Sequence, residues 1–462
     1  MSHKFIPGIA SQSLGNPQYH CIQAKLRAAA AAGLRSIEIF YDDIAQLAKK
    51  FHHNPSVLAL RFQPTPPCTG SGFSYQDEEF FSCAQQIRQW CLDTTPHSLE
   101  IICLQPFMHY EGLLDKAVRV EKMRKLELWI QIAKRLGTTL IQIPSNFLSE
   151  RECTGDTSRI VEDLRQVADI GAQQIPAIRF AYEALCWGTH VNTWDAAWDI
   201  VKRVDRDNFG TCLDTFNIAG RVYADPGEMS GRSGNADTDL AVSLQELRET
   251  FSNAENLKKV FYVELCDGEI LGTPLDERHP WYKAEQAARM TWSRNARLFP
   301  FETAVEEAMD QGRMPGYLPV AHVFDVLLDI GYEGIISFEV FNRSLNTEGD
   351  HVVCEHQKRA AKAWQRCAKH VDGFMANKAR REHEARGMKA LSAAGVDIDT
   401  MVLEEPEEVL RSVAVTGGDD LFGISCRLFC MSCRSVEIGG HGGATIMVRW
   451  IDGRWMCWSM AC

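Results

Sequence analysis

The sequence predicts an α/β protein built as a (β/α)8 TIM barrel with a small C-terminal extension. Strand-like apolar runs and amphipathic helical stretches alternate over most of the 462 residues. The passage from a helix to the next strand repeatedly contains glycine, as in AAAGLRSIEIF, AKRLGTTLIQI and LLDIGYEGIISF, and glycine suits the left-handed residue that closes a helix. Eight such units in order indicate parallel strands joined by long crossovers, which is the pattern of a closed barrel.

The eight predicted strands are FIPGIASQSL, SIEIF, LEIICLQPF, TLIQIPSNF, IRFAYEAL, NFGTCLDTF, VFYVEL and GIISFEVF. An open, doubly wound sheet is the alternative architecture, but GIASQSLG matches its glycine-rich phosphate turn poorly. We expect the catalytic barrel to span residues 1–375. Residues 376–462 form an extension of unknown function, either a small appended module or a poorly ordered segment.

Two polar stretches interrupt this pattern. Residues 53–80 are expected to form a long loop after the second strand, and residues 224–250 a polar loop followed by a helix after the sixth. Loops on this side of a barrel build active sites, so either stretch could fold over a substrate or be a solvated insertion. In the extension, Asp452-Gly453 between alternating apolar residues predicts a β-hairpin.

Composition narrows the function class. The formal net charge of −12 disfavours binding to nucleic acid or to an anionic membrane. We find no run long enough to cross a bilayer and no apolar leader, and the 16 scattered cysteines are typical of reduced thiols rather than of a disulfide framework. The expectation is a cytoplasmic protein that binds a small molecule, with no oligomeric state predicted.

Four acidic residues each close an apolar run on one of the last four predicted strands: Glu183, Asp214, Glu264 and Glu339. A carboxylate at such a position is costly unless a cation receives it. Because the strand ends meet at the mouth of a barrel, the four carboxylates are expected to hold one divalent ion. Oxygen ligands favour Mg²⁺ or Mn²⁺, while Co²⁺ and Zn²⁺ are also compatible with them.

Longer motifs carry a family resemblance. The segments YEALCWGTHVNTWDAAWDIV and VDRDNFGTCLDTFNIAGRVYADP resemble the fungal 3-dehydroshikimate dehydratases, a group within the xylose-isomerase-like barrel family. The same group is resembled by IEIFYDDI, ICLQPFMHYEGLLD, LIQIPSNFL and MTWSRNARLFP. The resemblance covers roughly residues 5–370. It implies a metal-dependent carbon–oxygen lyase that converts 3-dehydroshikimate to protocatechuate and water in quinate and shikimate catabolism.

By matching motif, the resemblance assigns the metal to Glu183 in YEAL, Asp214 in CLDTFNIAG, Glu264 in FYVELCDGE and Glu339 in SFEVFNRS. The position on the seventh strand departs from the expected pattern, because related dehydratases are expected to carry Gln or His where this chain has Glu264. A fourth carboxylate should hold the metal more tightly and weaken its Lewis acidity.

The implied reaction removes the C4 proton, passes through a metal-stabilised enediolate and expels the C5 hydroxyl as water. It therefore needs groups that move protons. His109 and Tyr110, just past the third strand, are candidates, and His190 follows Glu183 on another loop. Each histidine could instead cap a helix or bond the backbone. Asn217 is a candidate to orient a substrate hydroxyl or a metal-binding carboxylate.

The substrate's ring carboxylate calls for a cation, and arginine matches it by bidentate bonding. Arg221 and Arg343, which follow ligand-bearing strands, are the candidates, although each could instead form an ion pair with the crowded carboxylates. Gln105 and Gln142 end the third and fourth strands and could bind substrate hydroxyls. Glu38, in SIEIF on the second strand, could be a further proton-transfer group, or it could cap a helix or form an ion pair.

Two other functions fit the same residues. A metal-dependent sugar or keto-acid epimerase or isomerase shares the enediolate chemistry, so the metal ligands do not separate it from a dehydratase. A cation placed to bind a substrate carboxylate would distinguish a dehydratase from these enzymes. The third hypothesis is a barrel that binds a metabolite without turnover.

Overall fold

The computed structural model describes residues 5–53, 74–302, 315–393, 425–430, 435–439, 444–451 and 454–461. The chain divides into two compact units, Met1–His370 and Val371–Cys462. The division falls inside one long helix, Asp350–Ala393. This helix also runs through residue 375, where the barrel was expected to end.

The first unit is a closed barrel of eight parallel strands, which confirms the predicted fold. Its strands are β1 (Phe5–Ala10), β2 (Ser36–Phe40), β3 (Glu100–Gln105), β4 (Leu140–Pro144), β5 (Arg179–Glu183), β6 (Phe209–Asp214), β7 (Val260–Glu264) and β10 (Gly334–Phe338). Around the barrel they follow the order β1-β10-β7-β6-β5-β4-β3-β2. Two short strands, β8 (Asp267–Gly268) and β9 (Arg297–Leu298), pair with each other between β7 and β10.

Helices follow the strands. They are α1 (Ile22–Ala31), α2 (Tyr41–His53), α3 (Tyr75–Leu92), α4 (Lys116–Leu136), α5 (Thr157–Ala172), α6 (Trp194–Val204), α7 (Thr215–Val222), α8 (Ala236–Phe251), α9 (Ala254–Leu257), α10 (Ala288–Ala296), α11 (Val320–Asp329) and α12 (Asp350–Ala393). Short 3-10 turns lie at Ser11–Leu14 and Arg343–Asn346. Among the helices within the described ranges, none is both long and apolar enough to cross a membrane.

Local sequence signals set the helix ends. The α4 helix begins after Asp115, whose carboxylate accepts hydrogen bonds from the amides of Ala117 and Val118. It ends at Gly137, which adopts a left-handed conformation with φ of 84° after Lys134 and Arg135 in the last turn. An acid at the first turn and bases at the last complement the helix dipole, and glycine takes the left-handed residue at low cost.

Strand register brings the acidic strand ends together. Asp214 pairs with Glu264, Glu183 pairs with Cys212, and Ser337 pairs with Glu264. Paired residues of parallel strands share one face, and side chains two residues apart point the same way. The side chains of Glu183, Asp214, Glu264 and Glu339 therefore all project into the barrel at its carboxyl end.

Beneath this acidic layer, the barrel interior is apolar. Its packed cluster consists of Ile102, Cys103, Leu140, Ala181, Cys212 and Tyr262, with Phe261 and Ile335 against it. A filled floor of this kind is usual in eight-stranded barrels, whose chemistry is confined to the carboxyl-end mouth.

Two segment predictions have different outcomes. The prediction of a loop over residues 53–80 is wrong for its last residues, because the helix α3 begins at Tyr75 and the Ser74 side chain caps that helix. The strand β2 also runs directly into α2, and residues 54–73 lie outside the described ranges. The prediction for residues 224–250 is confirmed in outline, since a loop precedes α8.

The second unit contains an antiparallel sheet of four strands, in the order β11-β12-β13-β14. These are Ser425–Cys430, Ser435–Gly439, Ala444–Ile451 and Arg454–Ala461. Ile451 pairs with Arg454 and Trp450 with Trp455, so the hairpin predicted from Asp452-Gly453 is confirmed by the strands on either side of it.

A buried ion pair joins the first two helices of the barrel. The Lys25 Nζ lies 2.6 Å from the Asp43 Oδ1, and the exposed fraction of the two side chains is 0% and 1%. The Ser11 hydroxyl donates to the other Asp43 oxygen at 2.7 Å. Burial lowers the pKa of Lys25, while the Asp43 charge raises it. The pair therefore replaces the water that both charges have lost.

Replacing Lys25 with methionine should lower the free energy of unfolding by about 3–5 kcal/mol, because Asp43 stays buried without a counter-ion. Urea unfolding followed by tryptophan fluorescence measures the loss. The control is Lys49→Met at an exposed position of α2, which should change the value by less than about 0.5 kcal/mol. Equal small losses in both variants would contradict the structural role of Lys25.

Candidate metal centre and active site

Four carboxylates converge at the carboxyl-end mouth of the barrel. One oxygen from each of Glu183, Asp214, Glu264 and Glu339 lies within 4.8 Å of the others, and all four side chains are buried. Such a cluster of hard oxygen donors could hold a metal ion. The sequence pattern thus anticipated the arrangement of these side chains correctly.

A buried arginine, Arg297, reaches into the acidic cluster. Its Nη1 lies 2.9 Å from the Asp214 Oδ2 and 3.0 Å from the Glu339 Oε2. The guanidinium is fully buried, and it lies over the rings of Phe216 and Phe341 at 4.3 and 5.0 Å. Burial alone would lower the pKa of Arg297, but the charges of Asp214 and Glu339 help to raise it well above its ordinary value. Arg297 is therefore a permanent cation inside the cluster.

Two amides orient the carboxylates. The Asn217 Nδ2 donates to the Glu183 Oε1 at 2.8 Å and to the Asp214 Oδ2 at 2.7 Å, while its Oδ1 accepts the amide of Cys186 at 3.0 Å. The Gln142 Nε2 donates a short hydrogen bond to the other Glu183 oxygen. Both amides are buried. They hold the carboxylates rather than projecting freely toward a substrate, which is the second of the two roles expected for Asn217.

A fifth carboxylate, Glu38, lies in the same interior. Gln105 donates to it at 2.6 Å, the Ser337 hydroxyl donates a short hydrogen bond, and the Cys103 thiol lies 3.5 Å away. Burial raises the pKa of Glu38, and the hydrogen bond from Ser337 opposes that rise. Within the described residues Glu38 forms no ion pair, and its role in proton transfer stays a prediction. Gln105 is likewise committed to Glu38.

Crowding makes the cluster unfavourable to ionise. Burial raises the pKa of Glu183 and of Glu264 well above the usual range, and repulsion from Glu339 raises both further. Burial also raises the pKa of Glu339, to about 8, although Arg297 opposes the rise. One arginine is thus too little positive charge for these acids at neutral pH, and they need a further cation or protons.

The residues present fit a divalent ion. The donors are all carboxylate oxygens, as Mg²⁺ and Mn²⁺ prefer. In addition, the Glu264 Oε2 is buried and has no hydrogen-bond partner within the described residues, while its Oε1 accepts only a long bond from the Tyr262 hydroxyl at 3.3 Å. A buried oxygen without a partner is costly unless a cation lies beside it.

His109 lies on the segment that follows β3. It has a φ of 57°, and its ring packs edge-on against Phe147 at 4.2 Å. The Nδ1 lies 3.2 Å from the Asn146 Oδ1. Because the amide nitrogen of that Asn146 side chain donates to the Glu111 carbonyl, its Oδ1 is the acceptor, so His109 donates from Nδ1. Its Nε2 then carries the free lone pair.

Burial lowers the pKa of His109, and the charges of Lys122 and Arg294 lower it further against the hydrogen bond to Asn146. The ring is therefore neutral near pH 7 and able to accept a proton.

The other two proton-transfer candidates have different surroundings. The Tyr110 hydroxyl is directed at the Met123 sulfur, 2.9 Å away, and burial raises its pKa. The predicted pair of His109 and Tyr110 is therefore not formed. His190 contacts the Cys153 carbonyl at 3.3 Å, which is the backbone role that was its alternative.

The two predicted arginines also differ. Arg343 donates to both oxygens of Glu269 at 2.9 Å and lies over the Trp281 ring at 5.1 Å. It forms an ion pair, but with Glu269 rather than with the cluster. Arg221, on α7, is half-buried and forms no hydrogen bond or ion pair with the residues that the structure describes.

Sequence reasoning missed Arg297 and Asn146. Arg297 lies in the connection between β7 and β10, where no strand pattern points inward. One signal was present: four buried acids require positive charge nearby, and MTWSRNARLFP places two arginines three residues apart in this connection. Asn146 was missed because a lone loop amide carries no pattern, although it fixes which nitrogen of His109 is free.

Comparison with known proteins agrees with this geometry. A family model described as xylose isomerase-like TIM barrel matches residues 26–369. The chain belongs to this family. It is 44% identical over 358 residues to a 3-dehydroshikimate dehydratase of Neurospora crassa, a match that spans 77% of this chain and 91% of that protein. The resemblance to the fungal dehydratases is thereby confirmed.

More distant relatives share part of their length with this chain. A 3-dehydroshikimate dehydratase of Pseudomonas aeruginosa is 27% identical over 318 residues, which span 69% of this chain and 36% of the bacterial protein. A solved fusion of a xylose isomerase-like TIM barrel and a 4-hydroxyphenylpyruvate dioxygenase superposes with a TM-score of 0.51 at 24% identity. That match covers 78% of this chain and 42% of the fusion protein, and it supports the fold.

Replacing Arg297 with methionine should destabilise the metal-free protein by about 3–5 kcal/mol, because Asp214 and Glu339 lose their buried counter-ion. The loss should be larger at pH 9 than at pH 6, since Glu339, whose pKa is raised to about 8, takes up a proton at the lower pH. Because a metal ion is the other cation that can balance the cluster, Mn²⁺ should raise the melting temperature of this variant more than that of the wild type.

Calorimetry with and without Mn²⁺ measures these shifts. The control is Arg289→Met on the preceding helix α10, since Arg289 pairs with Asp225 at 3.2 Å outside the cluster. The stability lost in Arg289→Met should be the same with and without Mn²⁺. An equal gain from Mn²⁺ in the wild type and in Arg297→Met would show that Arg297 does not balance the cluster.

Proposed function

We propose that the protein is a metal-dependent 3-dehydroshikimate dehydratase, which forms protocatechuate and water. The observation that carries this proposal is the 44% identity over 91% of the Neurospora crassa dehydratase. The buried carboxylate cluster supports it, because removing a proton next to a ketone requires stabilisation of the negative charge that develops on oxygen. A cytoplasmic location and the absence of a nucleic-acid partner belong to the same proposal.

Glu183, Asp214, Glu264 and Glu339 would hold the divalent ion, of the Mg²⁺ or Mn²⁺ type. When bound, such an ion supplies Lewis-acid stabilisation of negative charge on the substrate's oxygens. The protein's own contribution is to fix the ligands. Asn217 and Gln142 hold Glu183 from both of its oxygens, and Arg297 removes part of the negative charge of the cluster.

His109 is the proposed base. Its neutral ring presents the Nε2 lone pair while Asn146 holds the Nδ1 proton. In the proposed reaction the Nε2 takes the proton from C4 of the substrate. The imidazolium then returns that proton to the departing C5 hydroxyl, which leaves as water while the C4–C5 double bond forms. Loss of a proton from C6 and protonation of the C3 oxygen then make the ring aromatic. One residue thus serves as base and then as acid, and the proton count balances.

Turnover tests the proposed reaction directly. Protein stripped with a chelator should be inactive, and Mg²⁺ or Mn²⁺ should restore the ultraviolet absorbance of protocatechuate from 3-dehydroshikimate. Glu183→Gln should abolish this restoration, because the cluster loses one ionised ligand. Metal binding without aromatic product in the wild type would overturn the dehydratase and favour an isomerase, an epimerase or a non-catalytic binder.

The pH profile tests His109. Because its pKa is lowered, kcat/KM should rise with pH through a value below 6.5 and be level near neutrality. His109→Asn should reduce kcat by about 10²–10⁴-fold and remove this acid limb. His190→Asn is the matched histidine control and should keep the limb. An acid limb that persists in the residual activity of His109→Asn would exclude His109 as the base.

A further inference from the structure

The connection that carries Arg297 also carries a second cation, Arg294. Met290, Ser293, Arg294 and Arg297 follow the spacing that places residues on one side of a helix. The Arg297 Nε donates to the Ser293 hydroxyl at 2.9 Å, so these two side chains do share a side. Arg294 thus lies in the last turn of α10, three residues before Arg297, which reaches the carboxylates. Unlike Ser293 and Arg297, which are fully buried, Arg294 is exposed.

The charge of Arg294 is not paired with any residue that the structure describes. Within the described ranges it forms no hydrogen bond, no ion pair and no contact with an aromatic ring, and its pKa is lowered by burial alone. Each neighbouring arginine of this connection is engaged. Arg289 bonds the carbonyls of Gly220 and Ala224, and Arg297 bonds the cluster. A partly enclosed guanidinium without an acceptor is available for an anionic ligand.

The barrel order places Arg294 across the mouth from His109. The histidine follows β3, and α10 lies between β7 and β10 in the chain. In the closed order of eight strands, β3 and β7 are separated by four positions in either direction, so they are diametrically opposite. Nevertheless, the charge of Arg294 acts on His109. Because Arg297 reaches the carboxylate cluster from the same connection, Arg294 lies at the rim of the mouth, three residues before it.

We propose that Arg294 binds the carboxylate of the substrate at the rim of the mouth, an assignment that rests on the proposed function. In 3-dehydroshikimate the carboxylate at C1 lies across the ring from C4, where the proton leaves. A ring that meets the cluster with its ketone and hydroxyl oxygens would therefore present its carboxylate on the other side. Arg294 takes the role that the sequence suggested for Arg221 and Arg343.

Two diols that differ only in the carboxylate isolate this contact. Dissociation constants of protocatechuate and of catechol are measured by calorimetry on the Mn²⁺-loaded wild type and on Arg294→Gln, beside kcat and KM for 3-dehydroshikimate. Arg294→Gln should raise KM and the protocatechuate constant by about 10–100-fold, the range for a hydrogen bond between charged groups. Catechol binding and Mn²⁺ binding should change less than about threefold. Arg294→Lys should recover part of the loss.

The control is Arg27→Gln at an exposed position of the outer helix α1, which should leave every constant unchanged. Three results would overturn the assignment: equal affinity of the wild type for both diols, equal weakening of both diols in Arg294→Gln, or loss of the preference in Arg221→Gln instead. The wild type could fail to turn over 3-dehydroshikimate while Arg294→Gln still loses the preference for protocatechuate over catechol. That result would overturn the proposed reaction and would support Arg294 as a site that binds a carboxylate.

Discussion

The balance of charge in the barrel mouth is the constraint on which the rest of this structure depends. Five carboxylates, from Glu38, Glu183, Asp214, Glu264 and Glu339, lie in an interior with little access to water. Isolated charges in such a place cost several kcal/mol each. One arginine offsets two of them, and amides and hydroxyls hold the others. These acids could therefore receive a further positive charge, such as that of a metal ion, which would offset the cost of their burial.

The acidic layer could be predicted from the sequence because it follows from strand periodicity. Each acid stands at the end of a strand, parallel strands end at one mouth, and the register pairs Asp214 with Glu264. Arg297 could not be predicted in this way, because it reaches Asp214 from 83 residues away and Glu339 from 42 residues away through a connection without strand pattern. The partners of Tyr110 and Arg343 were missed for the same reason, since they depend on how loops and helices pack.

Glu264 stands where the family pattern led us to expect an uncharged or basic ligand. By charge alone, a fourth carboxylate should bind a metal tightly and reduce its Lewis acidity. The structure shows a compensating feature, because Arg297 bonds Asp214 and Glu339 and so withdraws negative charge from the ligand set. Glu264 also keeps a buried oxygen, Oε2, without a partner in the described part of the chain. The extra charge of Glu264 and the buried cation of Arg297 are best understood together.

The mouth combines two levels of structural constraint. The carboxylates, Asn217 and Arg297 are buried and each is held by several partners, so their positions are determined by the barrel itself. His109 and Arg294 lie above them on connections from opposite sides of the barrel, with few partners of their own. Barrels diversify through such loops while the strand ends stay fixed. The four carboxylates thus belong to the strand ends, whereas the proposed contacts with the substrate come from two rim side chains whose positions no strand pattern determines.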